Sequence, residues 1–296
     1  MQGEAPDSFK IRLICYYYHL HLTSLSIPIM NFFIILFLFF SLFSITFSHE
    51  TFNSHLLPRP LIIEFPQTIE TQFGKSIDEL QLECSSWRFA VESNNLSPWK
   101  TIPHECADYV KDYLMGRAYR FDLERVSKEA IKYAKSVELG EDAKDVWVFD
   151  IDETLLSNLP YYADHGFGLE VFDGVEFDKW VDKAMAPPIE SSLKLYEEVL
   201  KLGFKVFLLT GRSEQQRGVT VANLINSGFQ DWDKLILRAA EDLGKLATIY
   251  KSEKRNEMVE EGYRILGNSG DQWSDLLGSS VSIRSFKLPN PMYYIP

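Results

Sequence analysis

The chain has 296 residues and a formal net charge of -12. That length allows one or two domains, and the acidity argues against a nucleic-acid partner, whose phosphates it would repel. A hydrophobic fraction of 46% with 14% aromatics provides for a large packed core and excludes a disordered chain.

The first landmark in chain order is the apolar run FFIILFLFFSLFSITF over residues 32–47, followed at once by His49, Glu50 and Asn53. An apolar run of this length, with Thr46 and Ser48 where a signal peptidase cuts and no Lys/Arg stop-transfer cluster behind it, reads as a cleaved secretory signal. Residues 1–29 do not fit that pattern, whereas Met30 stands directly before Asn31-Phe32-Phe33 and is the expected start. The alternative is a cytoplasmic stub with a type II membrane anchor. Residues 1–48 are therefore read as an extension plus signal. The mature protein is expected to be secreted or vacuolar, with no stable membrane association.

Of the three cysteines, Cys15 precedes the signal, leaving Cys84 and Cys106. An oxidising compartment would bridge them; a reducing one would leave two buried thiols, and the leader favours the bridge. Asn95-Leu96-Ser97 is a glycosylation sequon, in keeping with secretion.

Residues 49–75, with Pro58, Pro60 and Pro66, look like an extended lead-in. Residues 76–140 read as helical: Ala107, Val110, Tyr113, Leu114, Ala118 and Phe121 recur at helical spacing, and Glu124 and Lys128 stand four apart. From residue 141 short apolar runs alternate with amphipathic stretches. Strands are expected at 146–149, 205–209 and 235–237, a fourth is expected to start with 263–266, and 281–283 is the candidate for a fifth. Helices are expected at 191–202, stopping at Gly203, from a Ser213 cap to Gly228, and at 245–261. This alternation predicts an α/β fold, a parallel sheet with helices on both faces. Ligands in such sheets bind beyond the carboxyl ends of the strands.

Three of the strands end in chemically pointed residues. The first runs into Asp150-Ile151-Asp152-Glu153-Thr154, the second into Thr210-Gly211-Arg212, the fourth into Gly267-Asn268-Ser269-Gly270-Asp271, with Asp275 one turn on; Lys251 lies on the helix before the fourth. Clustered carboxylates repel each other and demand a cation. All-oxygen ligands favour magnesium over zinc. In an extended segment Asp150 and Asp152 point to one side, so one can attack phosphorus while the other serves the leaving oxygen. Thr210 offers a hydroxyl, and Gly211 and Arg212 backbone amides, for phosphoryl oxygens. Lys251 supplies positive charge. Each feature alone is commonplace: Asp-x-Asp is often a solvated turn, and Asp271 with Asp275 reads equally as an N-cap and an exposed helix face.

Taken in order, these motifs resemble the haloacid dehalogenase (HAD) superfamily, and within it the plant class B acid phosphatases and vegetative storage proteins. The stretches VFDIDETLLSNLPYY, FLLTGRSEQQR, YKSEKR, EEGYRILGNSGDQWSDLLG and CSSWRF…IPHEC carry the resemblance over residues 75–296. It implies a Rossmann-like phosphatase core over 141–296 with a small cap at about 155–188, and an N-terminal helical region. It implies Asp150 as nucleophile and Mg2+ ligand, and Asp152 as general acid then base, its carbonyl also facing the metal. Thr210 and Gly211 would hold the phosphoryl group and Lys251, with Lys254 as runner-up, would neutralise it. Asp271 would ligate Mg2+ directly and Asp275 through water. Tyr161, Tyr162, Phe167, Phe172 and Trp180 of the cap are candidates for leaving-group contact, though packing roles suit most of them. The expected substrates are small phosphate monoesters, and homodimers are an option within the family. The implied activity is an Mg2+-dependent acid phosphatase; storage with weak activity is the alternative. A phosphomutase or phosphotransferase fits poorly with so small a cap and a secretory leader.

Overall fold

The computed structural model describes residues 76–296. The expectations for the signal, the start at Met30, Cys15 and the lead-in fall outside the described residues. Among the described residues no helix is long and apolar enough to cross a membrane.

The helical region is interrupted rather than continuous. Helices α1 (Ile77–Glu92), α2 (Ala107–Met115) and α3 (Arg117–Ser136) are separated by a loop around the cis Ser97–Pro98 bond and by Gly116. Ser76 caps α1 through its hydroxyl, which accepts from the Glu79 amide. Cys84 and Cys106 form a disulfide that ties α1 to the turn before α2. Asn95 is exposed in the intervening loop. Glu124 and Lys128 form the expected i,i+4 pair, at 3.1 Å.

Among the described residues the five strands are β1 (Asp145–Phe149), β2 (Lys205–Ser213), β3 (Lys234–Arg238), β4 (Arg264–Gly270) and β5 (Arg284–Lys287). All neighbours pair in parallel, in the order β3-β2-β1-β4-β5. Period-two alternation divides the core. Trp147, Phe149, Val206 and Leu208 face a layer built with Ala130 and Ala134 of α3 and Leu195, Tyr196 and Val199 of α6 (Glu190–Leu202). Val146, Val148, Phe207 and Leu209 face Tyr250 and Met258 of α8 (Ala247–Glu260). The sheet is thus covered on both sides, which is why its central strands are unbroken apolar runs. Gly203 ends α6 at φ 94°, a left-handed conformation that glycine adopts without steric cost.

Between β1 and α6 the chain forms α4 (Leu159–Asp164) and α5 (Gly174–Val181). Asp173 caps α5, its carboxylate accepting from the Val175 and Glu176 amides. Tyr161, Tyr162 and Phe167 of this insert pack with Val110, Tyr113, Leu114 and Tyr119 of the N-terminal helices and with Leu288 and Met292 of the C-terminal segment.

Two expected boundaries are corrected. The fifth strand is not 281–283: Val281 and Ile283 are exposed, and the paired register with β4 runs from Arg284, preceded by a single bond from the Ile283 amide to the Ile265 carbonyl. An apolar residue every second position imitated a strand, but the paired segment is an edge carrying only Phe286 inward. The second strand does not stop at Leu209; it continues through Thr210-Gly211-Arg212 to Ser213. Ser213 and Gln216 then form a capping box at a short 3-10 turn, which leads into α7 (Arg217–Asn226).

Candidate active site

The topology brings the three motif-bearing strand ends side by side, because β1 lies between β2 and β4. Asp150 leaves β1 with its amide donating to the Ser269 carbonyl of β4 at 3.0 Å. Asp271 follows β4 directly, and Asp275 lies in the short helix α9 (Trp273–Leu276). A side chain at Gly270 would put its Cβ 2.4 Å from the Cβ of Asp275, so the absence of one lets α9 turn that carboxylate inward.

Asp150, Asp271 and Asp275 are buried, with carboxylate oxygens within 4.8 Å of one another. Lys251 projects from α8 into this group. Its Nζ donates to Asp150 Oδ1 at 2.5 Å and to Asp275 Oδ1. Burial alone would lower the Lys251 ammonium, but Asp150 and Asp275 outweigh it and hold it above its ordinary value. Burial, then the repulsion of Asp275, pushes the Asp150 carboxyl well above the usual range. Burial and the same neighbour push Asp271 up to about 7. One ammonium does not balance three clustered carboxylates, and the raised Asp150 and Asp271 carboxyls express that uncompensated charge. A donor set of carboxylate oxygens with excess negative charge suits a hard divalent cation such as Mg2+. Lys254 stands apart, paired with Glu257 and Asp242.

Asp271 and Asp275 are oriented by further bonds. Asp271 accepts from Gln272 Nε2 at 2.8 Å, Asn290 Nδ2 at 2.7 Å and Thr154 Oγ1 at 3.3 Å. Asp275 Oδ2 accepts from the Gln272 amide at 2.8 Å. Its own carbonyl is held by Asn268 Nδ2 and by the fully buried Arg255.

Asp152 is bound differently. The Arg212 guanidinium donates to it through Nη2 (2.7 Å to Oδ1) and Nε (3.1 Å to Oδ2). Asn158 Nδ2 adds a third donor at 2.9 Å. Burial would raise the Asp152 carboxyl, but Arg212 and Asn158 bring it below its usual value. Asn158 also donates to Glu153 and accepts from Trp180 Nε1 at 2.8 Å, so it links the strand end to the insert. Glu153 is buried at φ 51°, a strained conformation for a non-glycine residue of the kind that clusters at functional sites. Tyr293 Oη donates to it at 2.5 Å.

These groups line a cavity of about 380 Å³ whose walls include Asp150, Asp152, Asp271, Asp275, Lys251, Gly211 and Arg212. Thr210 is brought to the same strand end, yet it is fully buried and is not among the lining residues; its Oγ1 accepts the Arg212 amide at 3.1 Å. Gly211 has open space where a Cβ would project. Of the five aromatics singled out in the insert, Tyr162 and Phe172 line the cavity. Tyr161 packs against Tyr162, His165 and Phe177, and Phe167 is core. The sequence reading missed Phe177, Gln272, Tyr293 and Arg238 in the cavity wall, and it assigned Arg212 only an amide. The Asn158 and Asn290 contacts follow from tertiary packing and have no motif of their own.

The family described as "HAD superfamily, subfamily IIIB (Acid phosphatase)" matches residues 69–296. "Acid phosphatase 1" of Solanum lycopersicum is 66% identical over 88% of this chain and 99% of its own length. "Stem 28 kDa glycoprotein" of Glycine max is 44% identical over 78% of this chain and 90% of its own. "Vegetative storage protein 2" of Arabidopsis thaliana is 39% identical over 80% and 92%. Among solved structures, the class C acid phosphatase of Bacillus anthracis superposes with a TM-score of 0.51 at 21% identity, covering 62% of this chain and 83% of that one; at that identity the likeness speaks for the fold alone. The chain belongs to the acid phosphatase family, subfamily IIIB of the HAD superfamily.

Proposed function

We propose that the protein is an Mg2+-dependent acid phosphatase that hydrolyses small phosphate monoesters through an aspartyl phosphate on Asp150. The observation that carries this reading is the buried carboxylate cluster at the floor of a cavity whose size suits a small ester. Asp150, Asp271 and Asp275, with the Asp152 carbonyl, would hold the cation. When bound, Mg2+ would offset the charge of the incoming phosphate and orient it.

In the first step an Asp150 carboxylate oxygen forms a bond to phosphorus as the bond to the ester oxygen breaks, and Asp152 delivers a proton to that departing oxygen. In the second, Asp152 takes a proton from water, whose oxygen attacks phosphorus and frees Asp150. Lys251, already on Asp150, balances the charge gathering on the phosphoryl oxygens. Gly211, which lines the cavity, would offer its amide to those oxygens. Arg212 and Asn158 fix the position of Asp152. Their bonds favour its ionised form, so proton delivery has to overcome this pairing, whereas water activation is helped by it.

The test is hydrolysis of nitrophenyl phosphate from pH 4 to 8 with Mg2+ and then EDTA, beside Asp150→Asn. Turnover that disappears with EDTA and in the variant supports the proposal. A folded, Mg2+-loaded protein no faster than the variant would move the assignment to storage, the role named in its Arabidopsis relative. The leader and sequon support delivery through the secretory pathway.

A further inference from the structure

Among the described residues three cations line the cavity: Arg212, Lys251 and Arg238. Arg212 is ion-paired with Asp152, and Lys251 with Asp150 and Asp275. Arg238 has no carboxylate within ion-pair distance among the described residues. The nearby Asp242 gives its carboxylate to Lys245 and Lys254 instead.

Arg238 is nevertheless held in place. Its Nη1 donates to the Asp242 and Lys245 carbonyls, both at 3.0 Å. Its guanidinium lies over the buried Tyr250 ring, 4.4 Å from the centroid. Nε and Nη2 have no protein partner among the described residues. A fixed planar fork with uncommitted donors matches a carboxylate or a phosphate. Burial pushes this guanidinium's pKa down, the opposite of the ion-paired Arg212. Arg238 closes β3 beside Ser213 of β2, two strands from the β1 end that carries Asp150. At a spacing of about 4.8 Å per strand the two backbone positions lie about 10 Å apart across the sheet, with Arg238 about two residues further along the strand direction, so about 12 Å apart in all.

We propose that Arg238 forms a second anion subsite in this cavity, selecting phosphate monoesters that carry another acidic group on the leaving-group side. This rests on the phosphatase reading above. The second group is a carboxylate or a phosphate, which the same fork accepts.

The experiment compares kcat/KM of the full chain for three-carbon and six-carbon alkyl phosphates whose far end carries a methyl, a carboxylate or a second phosphate. Wild type is expected to favour the acidic esters by about ten- to a hundredfold at one chain length, equivalent to about 1.4–2.8 kcal/mol. Arg238→Gln should abolish that preference, and Arg238→Lys should restore part of it. The carboxylate and bisphosphate arms show which group is preferred. No preference in wild type, or an equal loss on all esters in Arg238→Gln as expected of a mere prop for the 240–245 turn, would overturn the proposal. The same esters are titrated calorimetrically into Asp150→Asn protein with and without Arg238→Gln. If nothing is hydrolysed the phosphatase reading fails, while the binding ratio still tests Arg238.

Discussion

The clamp on Asp152 makes a sharp prediction. Arg212→Gln removes the bidentate donor while keeping a polar group of moderate length. The Arg212 side chain is 2% exposed and that of Asp152 19%, so this ion pair is mostly shielded from solvent. Breaking a buried pair typically costs about 3–5 kcal/mol because one charge is left uncompensated. Asp152 keeps the Asn158 bond and some exposure, which places the loss near the low end, about 3 kcal/mol. With a urea m-value of about 3 kcal/mol/M this is a midpoint shift of about 1 M. The catalytic effect is separate. A freed Asp152 side chain samples unproductive positions, and a displacement of about 1 Å lowers kcat by about 10²-fold. The loss should be larger for alkyl phosphates, which need a proton on the leaving oxygen, than for nitrophenyl phosphate. Arg212→Lys keeps charge without the fork and should fall between. Steady-state kinetics on both esters, with urea unfolding of each variant, checks this. An Arg212→Gln protein with unchanged kcat on alkyl phosphates would refute the positioning argument.

Four further outcomes follow from the same contacts. Lys251→Met leaves the carboxylate cluster without its cation, so the metal-free protein should lose about 3–5 kcal/mol, and added Mg2+ should raise its Tm more than that of wild type; equal Mg2+ responses would contradict the cluster as the cation site. Asp271→Asn should weaken Mg2+ binding by calorimetry while leaving the fold intact by circular dichroism, and an unchanged affinity would remove Asp271 from the ligand set. Replacing both Cys84 and Cys106 with serine opens a crosslink of sequence separation 22, for which chain entropy predicts a loss of about 3 kcal/mol, readable by urea unfolding. The Asp142 carboxyl is lowered to about 2, chiefly by its bonds to Arg264. A depressed carboxyl stabilises above its unfolded pKa and stops doing so as pH falls through the folded one. Asp142→Asn should therefore lower Tm equally at pH 5 and 7 and not at all below pH 2; a difference between pH 5 and 7 would contradict the assignment.

Much of the site was legible because its residues sit at strand ends, where a buried apolar run gives way abruptly to polar chemistry. Val146–Phe149 into Asp150, and Lys205–Leu209 into Thr210, are local signals. The order of strands, with β1 between β2 and β4, then makes the motifs converge. What local pattern does not encode is partnership at long range. Arg212 was visible as a motif residue, but its side chain reaches Asp152 sixty positions earlier. Asn290 and Tyr293 lie in a segment punctuated by Pro289 and Pro291, with no periodicity to mark it, yet they bond Asp271 and Glu153. Thr210 illustrates the converse: its motif position is recognisable, but its backbone-directed bond and complete burial appear only in the fold. The misplaced fifth strand has a similar cause, since alternation at 281–283 looks the same whether or not a neighbouring strand pairs with it.

The central claim is that Asp150 carries the phosphoryl group. The most direct measurement is rapid acid quench of the enzyme during turnover with Mg2+, borohydride reduction, and mass analysis of the peptide containing residues 146–154. The account predicts conversion of Asp150 to homoserine, absent without substrate and absent in Asp150→Asn. An unmodified Asp150 peptide from enzyme that is demonstrably turning over, with a trapped acyl phosphate on another residue, would contradict it.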